Sequence, residues 1–136
     1  MRKTKAKKEK SLITKADRIH FKLLQKKSKR ISDFSSKELL GIISDIKKGN
    51  KNSEKELILA YLGICASFAW NLKQVHISHL SVKQLVEEGK HGLLKSAKSA
   101  DRKWTADKIV TRSIWWIQQA MLKAIQENKK KAKVKQ

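Results

Sequence analysis

The chain has 136 residues, of which 33 are Lys or Arg and 12 are Asp or Glu, so its formal net charge is +21 and its pI is near 10.3. A single cysteine excludes an intramolecular disulfide and favours a reducing compartment. The longest uncharged stretch, residues 57–72, is shorter than the roughly 20 apolar residues that cross a bilayer, and no apolar signal-peptide core follows the basic start. We therefore expect a cytoplasmic protein with a polyanionic partner and no membrane segment.

The positive charge lies mainly at the two ends of the chain. Residues 1–31 contain thirteen Lys and Arg against two acids, and residues 123–136 contain six Lys against one acid. The charges of residues 54–107 nearly cancel, with eight basic and six acidic side chains. These ends either contact nucleic acid or are solvated tails that aid solubility. We predict three segments: a basic N-terminal segment over 1–31, a helical domain over 32–127 and a basic C-terminal tail over 128–136.

The basic N-terminal segment contains one amphipathic pattern. Apolar residues recur at intervals of three and four within residues 11–31, which predicts an additional helix there. The residues of its expected packing face are Leu12, Ile13, Ala16, Ile19, Leu23 and Leu24. We therefore expect this segment to be partly helical.

Three further helix starts have capping-box spacing, in which a Ser oxygen accepts a backbone N–H and the side chain three residues later reaches back. The three pairs are Ser35 with Glu38, Ser53 with Glu56, and Ser81 with Gln84. They predict helices over 36–48, 54–73 and 82–98. Because proline is absent and apolar residues recur at three and four, the sequence predicts an all-α fold.

The apolar residues of these three helices predict how they pack. The first helix presents Leu39, Leu40, Ile42, Ile43 and Ile46, and it ends at Gly49-Asn50, which suits a left-handed stop. The second is apolar almost all round, as expected of the central element of a small bundle, through Leu57, Ile58, Tyr61, Leu62, Ile64, Cys65, Phe68 and Trp70. The third helix is expected to bury Leu85, Val86, Leu93 and Leu94. In that helix, Gly89 and Gly92 allow close approach of a neighbour.

A long last helix is predicted from Thr105 and Asp107 through Ile125 or beyond, after a turn over 99–105. Its expected buried seam is Val110, Ile114, Ile117, Met121 and Ile125. Another face aligns Lys108, Arg112, Trp115, Gln119 and Lys123, with Leu122 at the edge. A ring, a carboxamide and cations on one surface are the groups that contact bases and phosphates. We therefore predict a nucleic-acid surface, with core packing of Trp115 and Trp116 as the alternative.

Two sequence blocks resemble conserved region 2 of the sigma subunits of bacterial RNA polymerase. Leu85-Val86-Glu87-Glu88-Gly89 with Gly92-Leu93-Leu94-Lys95 is similar to the family's D-L-I-Q-E-G-x-x-G-L-x-x-A. Ile114-Trp115-Trp116-Ile117-Gln118-Gln119-Ala120, with Ala124-Ile125, is similar to T-W-W-I-R-Q-A-I-x-x-A-I. The similarity spans roughly Lys37 to Glu127, with nearly the family's spacing between the blocks. It implies a helical bundle like sigma region 2 and a transcription initiation factor.

The resemblance also implies two binding surfaces. The helix over 82–98 corresponds to the surface that docks on the clamp helices of the polymerase largest subunit, through Lys83, Gln84, Glu87, Glu88, His91 and Leu94. Two adjacent acids in a cationic chain suit a basic partner groove; alternatively they only favour the helix and offset nearby lysines. The last helix corresponds to the reader of the promoter −10 element, through Lys108, Arg112, Trp115, Trp116, Gln119, Leu122 and Lys123.

The roles implied for the last helix follow the family pattern with some departures. The tryptophan pair would stack at the upstream edge of the melted DNA, Gln119 would contact adenine, and Lys123 would contact a phosphate or base. Arg112 stands where the family usually stacks a flipped adenine on an aromatic ring, although arginine also lies flat on bases. Trp104 would supply part of the missing aromatic surface, and Leu122 replaces a residue that is usually polar. The match ends soon after region 2, so we expect either recognition through the −10 element alone or a separate partner that reads the −35 element.

Two other functions fit the same residues: a basic helical protein that binds nucleic acid without polymerase, and a regulator that competes with sigma factors for core polymerase. A metal site from Cys65, His76, His79 and His91 is poorly supported, because H-x-x-H stands without a paired Cys or acidic motif. The sequence has no Gly-rich phosphate loop and no nucleophile with an evident base. We therefore expect no catalysis, no metal and no cofactor.

Overall fold

The computed structural model describes residues 13–27, 34–75, 80–101 and 103–134. Over these ranges the chain forms helices and no strands, so the predicted all-α class is confirmed. The helices are α1 (Lys15–Lys27), α2 (Ser36–Lys47), α3 (Lys51–Val75), α4 (Val82–Ser99) and α5 (Ala106–Val134). None of these helices combines the length and apolar character that crossing a bilayer requires. The predicted C-terminal tail is helical as far as Val134.

Two of the three predicted capping boxes are present. Ser35 Oγ accepts a hydrogen bond from the Glu38 backbone N–H at 3.1 Å, and the Glu38 carboxylate accepts one from the Ser35 N–H at 3.3 Å. Ser81 and Gln84 form the same reciprocal pair, at 3.1 and 2.7 Å. Both pairs satisfy backbone donors that a helix start otherwise leaves without a partner. They fix where α2 and α4 begin.

The third predicted capping box, Ser53 with Glu56, is wrong. Asn50 caps α3 instead, because its Oδ1 accepts the Ser53 N–H at 3.1 Å and the helix already begins at Lys51. Gly49 has φ of +91°, the left-handed conformation that the sequence predicted for the end of α2. Since the chain turns sharply at Gly49, the next helix starts almost at once. Ser53 therefore lies inside the first turn of α3 and is buried.

The third helix is the centre of the bundle, as its all-round apolar pattern predicted. Leu57, Tyr61, Cys65 and Ala69 are almost fully buried along it. The large apolar residues on its other sides are half-buried and pack at the edge of the core: Ile58, Ile64, Phe68 and Trp70. This core contains residues from α2, α3, α4 and α5.

The buried faces of the neighbouring helices differ from the predicted ones at several positions. Leu40 of α2 was expected in the core but is 38% exposed, and Leu94 of α4 is only half-buried. In α5 the buried seam begins with Ile109 and Ser113 and continues through the predicted Ile117, Met121 and Ile125. Val110 and Ile114 are half-buried beside it. The seam thus differs from the predicted one only in its first two positions, where Ile109 and Ser113 are buried in place of Val110 and Ile114.

The fourth and fifth helices pack closely at the two predicted glycines. A Cβ at Gly92 would lie 2.5 Å from the Trp116 carbonyl oxygen and 2.9 Å from Ala120 Cβ. A Cβ at Gly89 would lie 2.5 Å from Met121 Cε. A methionine end can move aside, whereas a carbonyl oxygen inside a helix cannot. Gly92 therefore sets the separation of α4 and α5.

The first helix packs on α3 with a face other than the predicted one. The Phe21 and Trp70 ring centroids lie 4.8 Å apart, and the Gln25 amide donates to Ser67 Oγ at 3.1 Å and to the Gly63 carbonyl at 3.3 Å. Asp17 lies on the same face and is 1% exposed. A buried carboxylate with partners in the bundle therefore determines how α1 is rotated.

Because of that rotation, part of the predicted apolar face of α1 points to solvent. Ile19 is 58% exposed and Leu23 is 47% exposed, and Ala16 is also exposed. Ile13 and Leu24 are half-buried, and Leu12 lies outside the described residues. The sequence thus predicted a helix here correctly but gave it the wrong inner face.

The first and fifth helices lie on opposite faces of α3. α1 contacts α3 at Gly63 and Ser67, each two positions from Cys65 and so about 200° around the helix from it. Cys65 faces the other way: its sulfur and Ile117 of α5 both lie within 3.5 Å of a Cβ built at Gly89. The central helix therefore separates α1 from α5.

Candidate functional site

The outer face of α5 carries the predicted stripe as an exposed surface. Its aligned residues are all exposed: Lys108, Arg112, Trp115, Gln119 and Lys123. Trp115 is 51% exposed, which is a large fraction for an indole, so the core-packing alternative is wrong for this residue. Leu122 and Trp116 are half-buried at the edges of the stripe. One helix face thus presents a ring, a carboxamide and cations together.

The two adjacent tryptophans have different surroundings. Their ring centroids are 5.9 Å apart with an interplanar angle of 85°, an edge-to-face arrangement. Trp116 belongs to the α4–α5 contact, since its carbonyl lies against Gly92. Trp116 therefore lies against α4 and beside Trp115, whose side chain remains 51% exposed.

A second aromatic group stands at the start of α5. The Lys108 Nζ lies 5.1 Å from the Trp104 ring centroid, and the Arg112 guanidinium carbon lies 5.7 Å from it. Both distances are within the roughly 6 Å at which a cation is attracted to an indole. The Lys108 backbone N–H is capped by Thr105 Oγ1 at 3.2 Å, as predicted. The position that the sequence offered as a partial aromatic replacement, Trp104, is therefore next to Arg112.

The outer face of α4 carries the six residues predicted to contact a protein partner. Four of them are exposed and two, Glu88 and Leu94, are half-buried; the exposed ones are Lys83, Gln84, Glu87 and His91. The Glu87 carboxylate pairs with Lys90 Nζ at 2.9 Å while its side chain stays 51% exposed. An exposed ion pair of this kind contributes little stability, so Glu87 can exchange Lys90 for another cation. Gln84 is partly occupied by its capping bond to Ser81.

A cleft of about 370 Å³ lies between α2 and the start of α5. Leu40, Ile43 and Ile109 form its apolar part, and Lys47 and Lys48 line its side. The Lys47 ammonium donates to the Ala100 carbonyl, at the end of α4. The cleft accounts for the exposure of Leu40, which its position in the apolar pattern of α2 did not reveal.

The described residues include no cluster of three or more His, Cys, Asp or Glu side chains that could hold a metal. Of the four positions considered from the sequence, His76 and His79 lie outside the described ranges and His91 is exposed on α4. Burial raises the pKa of the Cys65 thiol to about 12. At neutral pH the thiol is therefore protonated, which makes it a poor ligand and a poor nucleophile.

No protein-family model matches the chain, and no curated protein is significantly similar to it.

Proposed function

We propose that the chain is a sigma-like transcription initiation factor of the cytoplasm, which binds RNA polymerase core through α4 and promoter −10 DNA through α5. The observation that carries the proposal is the placement of two chemically different surfaces on two helices packed against each other. α5 exposes Trp115 among cations, and α4 exposes the acid Glu87. The factor acts by binding energy rather than by a chemical reaction.

The exposed face of α5 supports the DNA half of the proposal. From Lys108 to Lys123 the stripe extends about 22 Å along the helix. The exposed Trp115 ring can stack on an unpaired base, and base–aromatic stacking contributes about 1–3 kcal/mol per base. Gln119 carries the carboxamide that pairs with adenine edges, and Lys123 supplies a cation for a phosphate. Arg112 and Trp104 form a second stacking group one turn before Trp115.

The exposed face of α4 supports the polymerase half of the proposal. In a chain with a net charge of +21, the two adjacent acids of α4, Glu87 and Glu88, are groups that a basic protein groove would attract. Glu87 and Glu88 lie at the centre of the outer face of α4, and His91 follows one turn later. Because α4 is held against α5 at Gly92, a polymerase bound to α4 would fix the position of Trp115 on the DNA.

The decisive experiment is transcription in vitro with bacterial polymerase core, this protein and a library of upstream DNA sequences. Initiation factors produce discrete start sites that share a −10-like sequence. If a separate polypeptide reads the −35 element, adding it will raise the yield from promoters that carry both elements. Binding to core without start sites, together with repression of an authentic sigma factor, would instead identify a competitor for the clamp.

A second candidate function is nucleic-acid binding without polymerase. It is favoured by the 33 Lys and Arg residues and by the two cations on Trp104, neither of which requires a protein partner. Failure to bind core polymerase in a pull-down, with DNA binding intact, would select this candidate. In that case charge reversal at Glu87 and Glu88 would leave the function unchanged.

A further inference from the structure

The side of α1 that faces solvent carries a row of four cations. Lys15, Arg18, Lys22 and Lys26 are spaced by three, four and four residues, so they fall within about 80° of the helix circumference. All four are exposed. The row extends for about 16 Å along the helix axis. The sequence offered the cations of residues 1–31 as nucleic-acid contacts or as a solvated tail, but it did not place these four on one helix face.

This row, called here the α1 cation row, is not neutralised by its own helix. The acid of α1, Asp17, is on the opposite side, 1% exposed and bonded to the Val82 N–H at 2.9 Å. In the part of the chain that the structure describes, none of the four cations forms an ion pair with a carboxylate. The row is therefore available to an external anion.

The α1 cation row and the α5 stripe cannot be occupied by one straight segment of DNA. α1 contacts α3 through Gly63 and Ser67, whereas Cys65, about 200° around α3, faces Gly89 of α4, where Ile117 of α5 also packs. The central helix thus lies between α1 and the point at which α4 and α5 meet. A duplex that lies along α5 leaves the α1 cation row unoccupied.

We propose that the α1 cation row is a second DNA-binding surface, and that the protein bridges two separate duplex segments, one on α1 and one on α5. Ammonium and guanidinium groups contact phosphates without reading sequence, so binding at α1 is independent of base sequence. One strand of duplex carries about five phosphates over the length of the row, enough for each cation to have a partner. Bridging requires no polymerase, but it rests on the DNA contact proposed for α5. Loss of DNA binding in Arg112→Ala with Lys123→Ala tests that contact, whereas loss of capture with binding to the first duplex intact tests the α1 cation row.

Bridging is tested with a short biotinylated duplex on beads and a fluorescent duplex of unrelated sequence in solution. The full-length protein should capture the fluorescent duplex on the beads. Replacing Lys22→Glu and Lys26→Glu should lower that capture by about tenfold or more, because phosphate contacts dominate affinity. Binding of the protein to the first duplex should persist through α5. Helix content and sedimentation confirm that the variant is folded and that the protein is a monomer.

A matched control makes the same change in net charge elsewhere. Lys37→Glu with Lys55→Glu alters two exposed lysines of α2 and α3 outside the row. Capture should then remain close to that of the unaltered protein. Equal loss in both double variants would overturn the proposal, since it would show that total charge and not the row is responsible.

The exposed Ile19 and Leu23 beside the row provide a second control. The change Ile19→Ser with Leu23→Ser should leave capture unchanged, because phosphates do not need an apolar contact. If this pair abolishes capture while Lys22→Glu with Lys26→Glu does not, bridging arises from apolar association between protein copies and the proposal is wrong. The salt dependence of DNA binding at α1 is measured in the variant Arg112→Ala with Lys123→Ala, in which the α5 contact is weakened. Neutralising two lysines of the α1 cation row in this variant should reduce the slope of the logarithm of the DNA-binding constant against the logarithm of salt concentration by about 1.8.

Discussion

Asp17 and Lys73 form a buried ion pair, with Asp17 Oδ2 and Lys73 Nζ 3.8 Å apart, where α1 crosses the C-terminal end of α3. The other carboxylate oxygen accepts the Val82 N–H at 2.9 Å, so Asp17 also caps the start of α4. Lys73 in turn donates to the Leu80 carbonyl. One carboxylate thus connects α1, α3 and the chain that enters α4. An ion pair removed from water needs such additional hydrogen bonds to offset the cost of its desolvation.

Replacing Asp17→Ala should lower the free energy of unfolding by about 3 to 5 kcal/mol, because Lys73 is then a buried charge without its partner. Denaturant unfolding measures the loss, and hydrogen exchange should show α1 opening first. The exposed acid Asp107 is the matched control, and Asp107→Ala should cost well under 1 kcal/mol by comparison. Adding Lys73→Met to the Asp17→Ala variant should restore most of the stability. If Asp17→Ala alone is as stable as the original protein, the ion pair does not hold α1 on the bundle.

Replacing Gly92→Ala should destabilise the protein by about 1 to 3 kcal/mol, because the new methyl group meets the Trp116 carbonyl oxygen. The strain should move α5 and change the fluorescence of Trp115. Gly41 is the matched control: it lies in α2, and a Cβ there has nothing within 4 Å. Gly41→Ala should therefore stabilise the protein by about 0.4 to 1 kcal/mol. Similar effects of the two changes would show that the helices are not in close contact at Gly92.

Replacing Trp115→Ala should weaken binding of single-stranded DNA by about 1 to 3 kcal/mol, the contribution of one stacked base. Stability should change little, because Trp115 is 51% exposed. Fluorescence anisotropy with a labelled −10-like oligonucleotide measures the affinity. Trp115→Phe keeps a ring and should recover part of the loss. Unchanged affinity in the alanine variant would remove the main support for the DNA half of the proposed function.

Reversing charge at Glu87→Lys and Glu88→Lys should abolish capture of polymerase core, because the proposed partner groove is basic. DNA affinity should rise slightly, since two acids have become cations. Asp45→Lys with Glu56→Lys provides the same change in net charge at exposed acids outside α4. A pull-down with purified core compares the two variants. If both capture core equally well, α4 is not the docking surface.

The thiol of Cys65 makes stability depend on pH in the alkaline range. Burial raises its pKa from the ordinary 9.0 to about 12. Below pH 9 the thiol is protonated in both the folded and the unfolded chain and contributes no pH dependence. Between pH 9 and 12 only the unfolded chain releases this proton, so stability falls as pH rises. In Cys65→Ala this contribution is absent, and denaturant unfolding against pH should give a shallower decline than in the unaltered protein.

Features set by neighbouring residues were predictable from sequence, whereas features set by distant partners were not. The Ser35 and Ser81 caps involve residues three positions away, and both are present. The capping box at Ser53 failed because Asn50 offered a competing cap immediately after Gly49. The rotation of α1 depends on the bond between Asp17 and Val82, which are 65 positions apart, and no local pattern encodes it.

In the candidate site, too, the features set by nearby residues were predictable and those set by distant residues were not. Intervals of three and four residues placed Lys108 to Lys123 on one exposed face of α5, because a helix determines its own periodicity. The same periodicity could not distinguish Val110 from Ile109 as the first buried residue, since the choice depends on how α5 is rotated against the other helices. The pairing of Trp104 with Lys108 and Arg112 depends on the conformation of the turn before α5.

The bond between Asp17 and Val82 also has a consequence for synthesis of the chain. Asp17 emerges from the ribosome 65 residues before its partner does. At roughly 5–20 residues per second, α1 remains without this contact for about 3 to 13 s. During that interval α1 can contact α3 through Phe21 and Gln25, but the bond that joins it to α4 is missing. The contacts of the first described helix to be translated are therefore completed only after the first turn of α4 has been made.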